Sequence, residues 1–163
     1  MLFGLGTAVI TMVGINVGAG QVHRARKITW IGVLIAFIFA TSIGAVVAIF
    51  PNLWLTIFSD EPQILAIGTS YLHTIAPFYG FIAAAMILYF AAIGMKRVLW
   101  PVLAGTVRMI IAAFIGWVAV TQFNVGPQGL FYILVVSILA YWAITVISMV
   151  IITRPGRHTH SNQ

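Results

Sequence analysis

Residues 14–27 read Gly14-Ile15-Asn16-Val17-Gly18-Ala19-Gly20-Gln21-Val22-His23-Arg24-Ala25-Arg26-Lys27. An apolar run ends here, three glycines interrupt it, and clustered basic residues follow. A segment that leaves hydrocarbon through a Gly-rich turn and lands on Arg and Lys has the pattern of a membrane helix emerging on the cytoplasmic side. That reading sets the topology of the remainder.

Composition points the same way. The 163 residues are 62% hydrophobic and only 6% charged, against roughly a quarter charged in ordinary soluble domains. The unit to count is therefore an apolar run of about 20 residues, long enough to cross ~30 Å of hydrocarbon as a helix. Five such runs cover residues 1–17, 29–50, 63–93, 100–121 and 130–152, which predicts an all-α, polytopic transmembrane helix bundle over 1–153. Residues 154–163 are polar and are expected to form a disordered cytoplasmic tail, whose His158 and His160 are too few to make a metal site. The absence of cysteine excludes disulfides, thiolate metal sites and thiol nucleophiles. The apolar opening, with neither a basic n-region nor an A-x-A site, argues against a removable signal peptide.

The formal charge is +6, and Asp60 and Glu61 are the only acids. In a soluble chain that excess would suggest nucleic acid. Placed between apolar runs it orients helices and meets anionic head groups, so the expected partner is the lipid bilayer and not nucleic acid. With five spans, Arg24, Arg26, Lys27, Lys96, Arg97, Arg154 and Arg157 all fall on one side, and Asp60 and Glu61 on the other. This asymmetry predicts a multi-pass protein of the cell (inner) membrane with a cytoplasmic C-terminus. An outside start at Met1 is what the back end of a larger protein would show.

Local features refine the spans. Gly4, Gly6, Thr7, Thr11 and Gly14 suit the first span to close helix packing, with Gly14 and Gly18 as a small-xxx-small pair and Asn16 as a cap or interfacial residue. Asn52 to Phe58 is amphipathic, and Asp60 with Glu61-Pro62 reads as the N-cap and first turn of the third span. Within that span Pro77 removes a backbone donor and Gly80 permits a bend. The carbonyl so freed must be satisfied by neighbouring protein or a cavity. His73 reads as an interfacial or packed histidine. Arg108 falls seven residues inside the fourth span, where a charge is costly and marks a functional hypothesis; its alternative is snorkelling back to the basic edge.

Enzymatic motifs are missing. The sequence has no H-E-x-x-H, no Ser-His-Asp set arguable from spacing, no carboxylate pair across a cleft and no P-loop, since Gly18-Ala19-Gly20 lacks the downstream Lys and Ser/Thr. The expectation is therefore no catalytic, metal or cofactor site. A kinked span and an intramembrane arginine favour translocation over chemistry.

The ordered motifs resemble the multidrug and toxic compound extrusion (MATE) family. Val13 to Gln21 followed by Arg24-Ala25-Arg26-Lys27 is similar to that family's G-Q-N-x-G-A-G turn and basic tail. Phe50-Pro51, Ile57-Phe58, Asp60, Ala66 and Tyr71-Leu72 resemble its next loop and helix, as do Gly94, Arg97, Pro101 and Arg108 the following ones. Gly126-Pro127-Gln128-Gly129 is similar to the G-x-x-G turn before the last helix. The resemblance implies twelve helices in two lobes, of which these five would be the last. It also implies a small-molecule drug or organic cation exchanged for H⁺ or Na⁺, with no other cofactor. Under it Tyr79, Tyr89 and Arg108 are candidates for the translocation cavity, with helix packing the alternative for each tyrosine. Pro77 and Gly80 would form the bend, and Gly14, Asn16, Gly18 and Gly20 the signature turn. An N-terminal lobe, in cis or as a separate chain, would be the missing partner. Two departures stand out: Ile15 occupies a position often held by Gln, and the third span lacks the acid with which some members hold the coupling cation. The alternatives are a lipid-linked saccharide flippase of the same superfamily and a non-transporting remnant or assembly subunit of a truncated or split gene.

Overall fold

A computed structural model describes residues 1–123 and 126–153, and every regular element among them is helical. The helices are α1 (Leu2–Gly18), α2 (Val22–Ile49), a short α3 (Pro51–Leu55), α4 (Pro62–Ile75), α5 (Tyr79–Gly94), α6 (Leu99–Ile110), α7 (Gly116–Phe123) and α8 (Pro127–Ile152). A 3₁₀ turn at Ala76–Phe78 joins α4 to α5, and a π turn at Ile111–Ile115 joins α6 to α7. Four rods, Val22–Ile49, Pro62–Gly94, Leu99–Gln122 and Pro127–Ile151, are long and apolar enough to cross a membrane, and Leu2–Gly18 is a shorter apolar helix. The helical membrane bundle agrees with the sequence reading. The expected tail, residues 154–163, lies outside the described residues.

Two boundaries differ from expectation for identifiable reasons. The basic segment is not a loop, because α2 begins at Val22 and takes His23, Arg24, Arg26 and Lys27 into its first turns. What allows the abrupt start is the end of α1. The Gln21 N–H donates to the Asn16 carbonyl at 2.8 Å and the Gly20 N–H to the Val17 carbonyl at 3.0 Å, with Gly20 at φ 74°. This is a Schellman closure, in which a left-handed residue satisfies the last carbonyls and reverses the chain at once. The second correction concerns Asp60. The position preceding α4 is Glu61, which makes no side-chain cap bond, and the Ser59 hydroxyl instead accepts the Glu61 N–H at 3.1 Å. Pro62 opens α4 as its fixed φ favours.

Contacts between glycines and their neighbours give the direction of each span. Gly6 abuts Phe90, and a methyl on Gly94 would lie 2.7 Å from the Ile10 carbonyl and 3.2 Å from Val13, so α1 and α5 run parallel. Against α2 the pairings descend: Gly32 with Ile87, Phe37 with Phe81, Thr41 with Gly80 and Gly44 with Ala76, so α2 is antiparallel to α5. Tyr71 with Phe131 and Phe81 with Trp142 set α8 parallel to α4 and α5, while Arg108 with Tyr141 and Gly116 with Leu130 set α6 and α7 antiparallel to α8. Successive spans thus alternate. The start of α2 and the α5–α6 connection share one edge, and the connection holding Asp60 and Glu61 lies at the other.

The core forms where α1, α2 and α5 cross. Val9, Val13, Ala36, Ala40, Ala83, Ala84, Ile87, Leu88 and Ala91 are buried there. Small residues dominate because lipid tails offer no hydrophobic drive between helices, and close backbone approach supplies the packing energy instead. Gly94 approaches the α1 backbone at Ile10, and a methyl on Gly14 would lie 3.5 Å from the Gly94 carbonyl oxygen. A methyl on Gly18 would meet nothing within 4 Å, so Gly14 packs on α5 while Gly18 offers no partner surface. The outer face of α2, with Ile31, Leu34, Ile35, Ile38 and Phe39, stays exposed, as suits hydrocarbon.

Candidate functional site

The intramembrane charge is the natural centre. Arg108 sits in the last turn of α6, a helix that packs chiefly on α8, and its guanidinium carbon lies 5.6 Å from the centre of the Tyr141 ring. A cation held over an aromatic face is drawn by the ring quadrupole, more strongly where water is scarce. Depth follows from helix rise. Arg108 is nine residues beyond Leu99, about 13 Å along α6, and Tyr141 is eleven residues before Ile152, about 16 Å from that edge. The guanidinium therefore meets a ring near mid-span and does not reach back toward Lys96 and Arg97.

Tyr141 belongs to a polar stripe along α8, with buried Ser137, Thr145 and Ser148 at helical spacing. These hydroxyls donate to their own helix: Ser137 to the Leu134 carbonyl at 2.7 Å, Thr145 to Tyr141 and Ser148 to Ile144, both at 2.6 Å. Their needs are met locally. Arg108 is different, because the spans contain no Asp or Glu that could neutralise it.

The tyrosines separate. Tyr89, half-buried on α5, stacks edge-on with Phe90 at 6.0 Å, eight residues beyond the Phe81 that meets Trp142. Tyr79, at the start of α5, faces α2 beside Gly44 and lines an open apolar groove of about 310 Å³ with Leu2, Phe39 and Met86. Of the three candidates, Arg108 is the one with a described contact to Tyr141, and both tyrosines lie on α5.

Pro77 falls inside the 3₁₀ turn, and its neighbourhood shows how a broken span is tolerated. The Ala76 carbonyl points at Gly44 so closely that a methyl there would overlap it, and Gly80 is filled by Thr41 and Phe37. Helix α2 thereby receives the bend. Thr41 Oγ1 is buried at this contact with no hydrogen-bond partner among the described residues. Of the signature turn, Gly20 makes the left-handed closure and Gly14 packs on α5. The Asn16 side chain donates to the Met12 carbonyl at 2.7 Å, within its own helix.

Sequence reasoning missed Tyr141 and the edge-to-face series Phe37, Phe81, Trp142, with centroids 5.3 and 5.2 Å apart, which crosses from α2 through α5 to α8. It also missed the π turn that begins three residues after Arg108, a distortion frequent at functional sites. A count of tyrosines and tryptophans in the last span was the available signal for the aromatic set; none existed for the π turn.

Comparison with known proteins bears on these motifs. The MatE family model matches residues 1–118. The chain is 26% identical over 128 residues to the probable multidrug resistance protein NorM of Thermotoga maritima, covering 78% of this chain and 28% of that protein. It is 34% identical over 65 residues to Protein DETOXIFICATION 53 of Arabidopsis thaliana, covering 40% of this chain and 13% of that protein. It therefore spans less than a third of the length of either relative. No solved structure matches. With the match running from α1 into α7 and taking in the signature turn, the kinked span and Arg108, the chain belongs to the MatE family.

Proposed function

We propose that the chain is part of a secondary active multidrug efflux antiporter and not an enzyme, exporting organic cations or drugs in exchange for H⁺ or Na⁺. The observation that carries this reading is the Arg108–Tyr141 pair at mid-span, beside a π turn and across from a proline-kinked helix. Transporters place their sites near the bilayer midplane on interrupted helices. In this reading Arg108 with Tyr141, Tyr89 and Tyr79 line the cavity, Pro77 and Gly80 form its bend, and the coupling carboxylate lies outside these spans. The basic edge faces the cytoplasm of the cell (inner) membrane, as positive charge between spans directs. The names of the two relatives and the family membership support it.

Ethidium efflux from cells expressing the complete transporter that contains this chain tests the proposal. Efflux that collapses with Arg108→Ala while the protein remains in the membrane is the expected result. A well-folded, complete assembly that exports nothing sinks it. One observation favours a second cargo. An arginine without an acid in any span suits an anionic head group, so a lipid-linked saccharide flippase would show saccharide-lipid translocation without ethidium efflux.

A further inference from the structure

On the face of α2 at the basic edge, His23, Arg26, Lys27, Trp30, Ile31 and Leu34 line an open groove of about 570 Å³. Their spacing, i, i+3, i+4, i+7, i+8 and i+11, is one stripe of a single helix. Arg24 is not part of it, since its Nη1 donates to Gln21 Oε1 at 3.1 Å. We infer that this groove holds one anionic phospholipid of the adjacent leaflet, its phosphate on Arg26, Lys27 and His23 and an acyl chain along Trp30, Ile31 and Leu34.

Three observations select that occupant. The first is charge. The cationic end has no acid near it in sequence, because Asp60 and Glu61 belong to the opposite edge. The second is length. From His23 to Leu34 the stripe runs about 16 Å along the axis, close to the depth of one hydrocarbon leaflet, half of ~30 Å. A soluble anion would use only the top of it. The third is the order of chemistry. Cations lie at the edge, a half-buried Trp30 packed on the core comes next, and the exposed aliphatic pair Ile31 and Leu34 lies deepest. That sequence follows the head group, interface and tail of a phospholipid.

Native mass spectrometry of the complete transporter, released from vesicles of mixed phosphatidylglycerol and phosphatidylcholine, tests the assignment. The expected spectrum keeps phosphatidylglycerol in preference to phosphatidylcholine. Arg26→Ala with Lys27→Ala lowers that retention by roughly 30-fold, the product of two cations near a membrane surface. Filling the floor with Leu34→Trp lowers it as well, while Lys96→Ala with Arg97→Ala at the neighbouring connection leaves it unchanged. Millimolar inorganic phosphate does not displace the lipid. Retention that survives the Arg26/Lys27 change, falls equally with the Lys96/Arg97 change, ignores Leu34→Trp, or yields to free phosphate overturns the assignment. A dimer appearing in place of the lipid adduct, and lost with Arg26/Lys27, overturns it in favour of protein docking.

Discussion

The guanidinium carbon of Arg108 lies 5.6 Å from the centre of the Tyr141 ring, on a helix that runs antiparallel to α6. The contact ties the least buried of the long helices to the bundle through its only charge. It also holds that charge near mid-span, where the spans contain no acid to neutralise it.

If the proposed efflux function holds and the ring face is what Arg108 requires, Tyr141→Phe keeps ethidium efflux within about threefold, because Phe presents a comparable quadrupole. Tyr141→Leu removes it. A desolvated cation–π contact contributes about 2 kcal/mol, so efflux falls by roughly 30-fold. Arg108→Lys keeps the charge but loses the planar stack, and falls between the two. Equal loss in Tyr141→Phe and Tyr141→Leu would transfer the role to the phenol hydroxyl.

The α1–α5 crossing predicts a contrast between two glycines. A methyl on Gly94 would lie 2.7 Å from the Ile10 carbonyl, whereas one on Gly18 meets nothing within 4 Å. Gly94→Ala should destabilise the bundle by about 1–3 kcal/mol, as overpacking does. Gly18→Ala should stay within about 0.5 kcal/mol. Unfolding titrations in mixed micelles compare the two directly, and equal midpoints would contradict the crossing.

The spans were legible because hydrocarbon imposes one rule on every backbone polar group, so long apolar runs have to be helices. Pro77 was legible for a similar reason: its missing N–H breaks a helix wherever it falls. Partnerships were not. Arg108 and Tyr141 are 33 residues apart on different helices, and no spacing rule links them. The Gly20 closure could be anticipated from glycine itself, but the same closure at the end of α5 could not, because its left-handed residue is Lys96. Asp60 misled because Asp is a strong cap by type, while the chain gave the local donor to Ser59.

Lys96 carries the third prediction. At the end of α5 the Arg97 N–H donates to the Ala92 carbonyl and the Lys96 N–H to the Ile93 carbonyl, both at 2.9 Å, with Lys96 at φ 57°. This repeats the α1 closure with a residue that has a Cβ, at a conformational cost of roughly 1–2 kcal/mol. Lys96→Gly should raise stability by about 1 kcal/mol, and Gly20→Ala should lower it by a similar amount. Unfolding midpoints check both signs; a destabilised Lys96→Gly would mean that the ammonium contributes more than the strain costs.

Thr41 tests how the kink is satisfied. Its Oγ1 is buried against Gly80 with no hydrogen-bond partner among the described residues, in the helix that receives the Pro77 bend. A buried hydroxyl left unpaired costs about 1–3 kcal/mol, whereas an apolar group of the same shape does not. Thr41→Val should therefore stabilise the bundle by about 1 kcal/mol, while Thr41→Ala, which leaves a gap beside Gly80 and Phe37, should gain less or lose stability. The same pair of variants separates packing from polarity in transport. If the bend moves during export, Thr41→Val slows ethidium efflux while raising the unfolding midpoint, because a stiffer contact resists rocking. Destabilisation by Thr41→Val would show instead that the hydroxyl holds a partner at the kink, such as the carbonyl that Pro77 leaves without its donor.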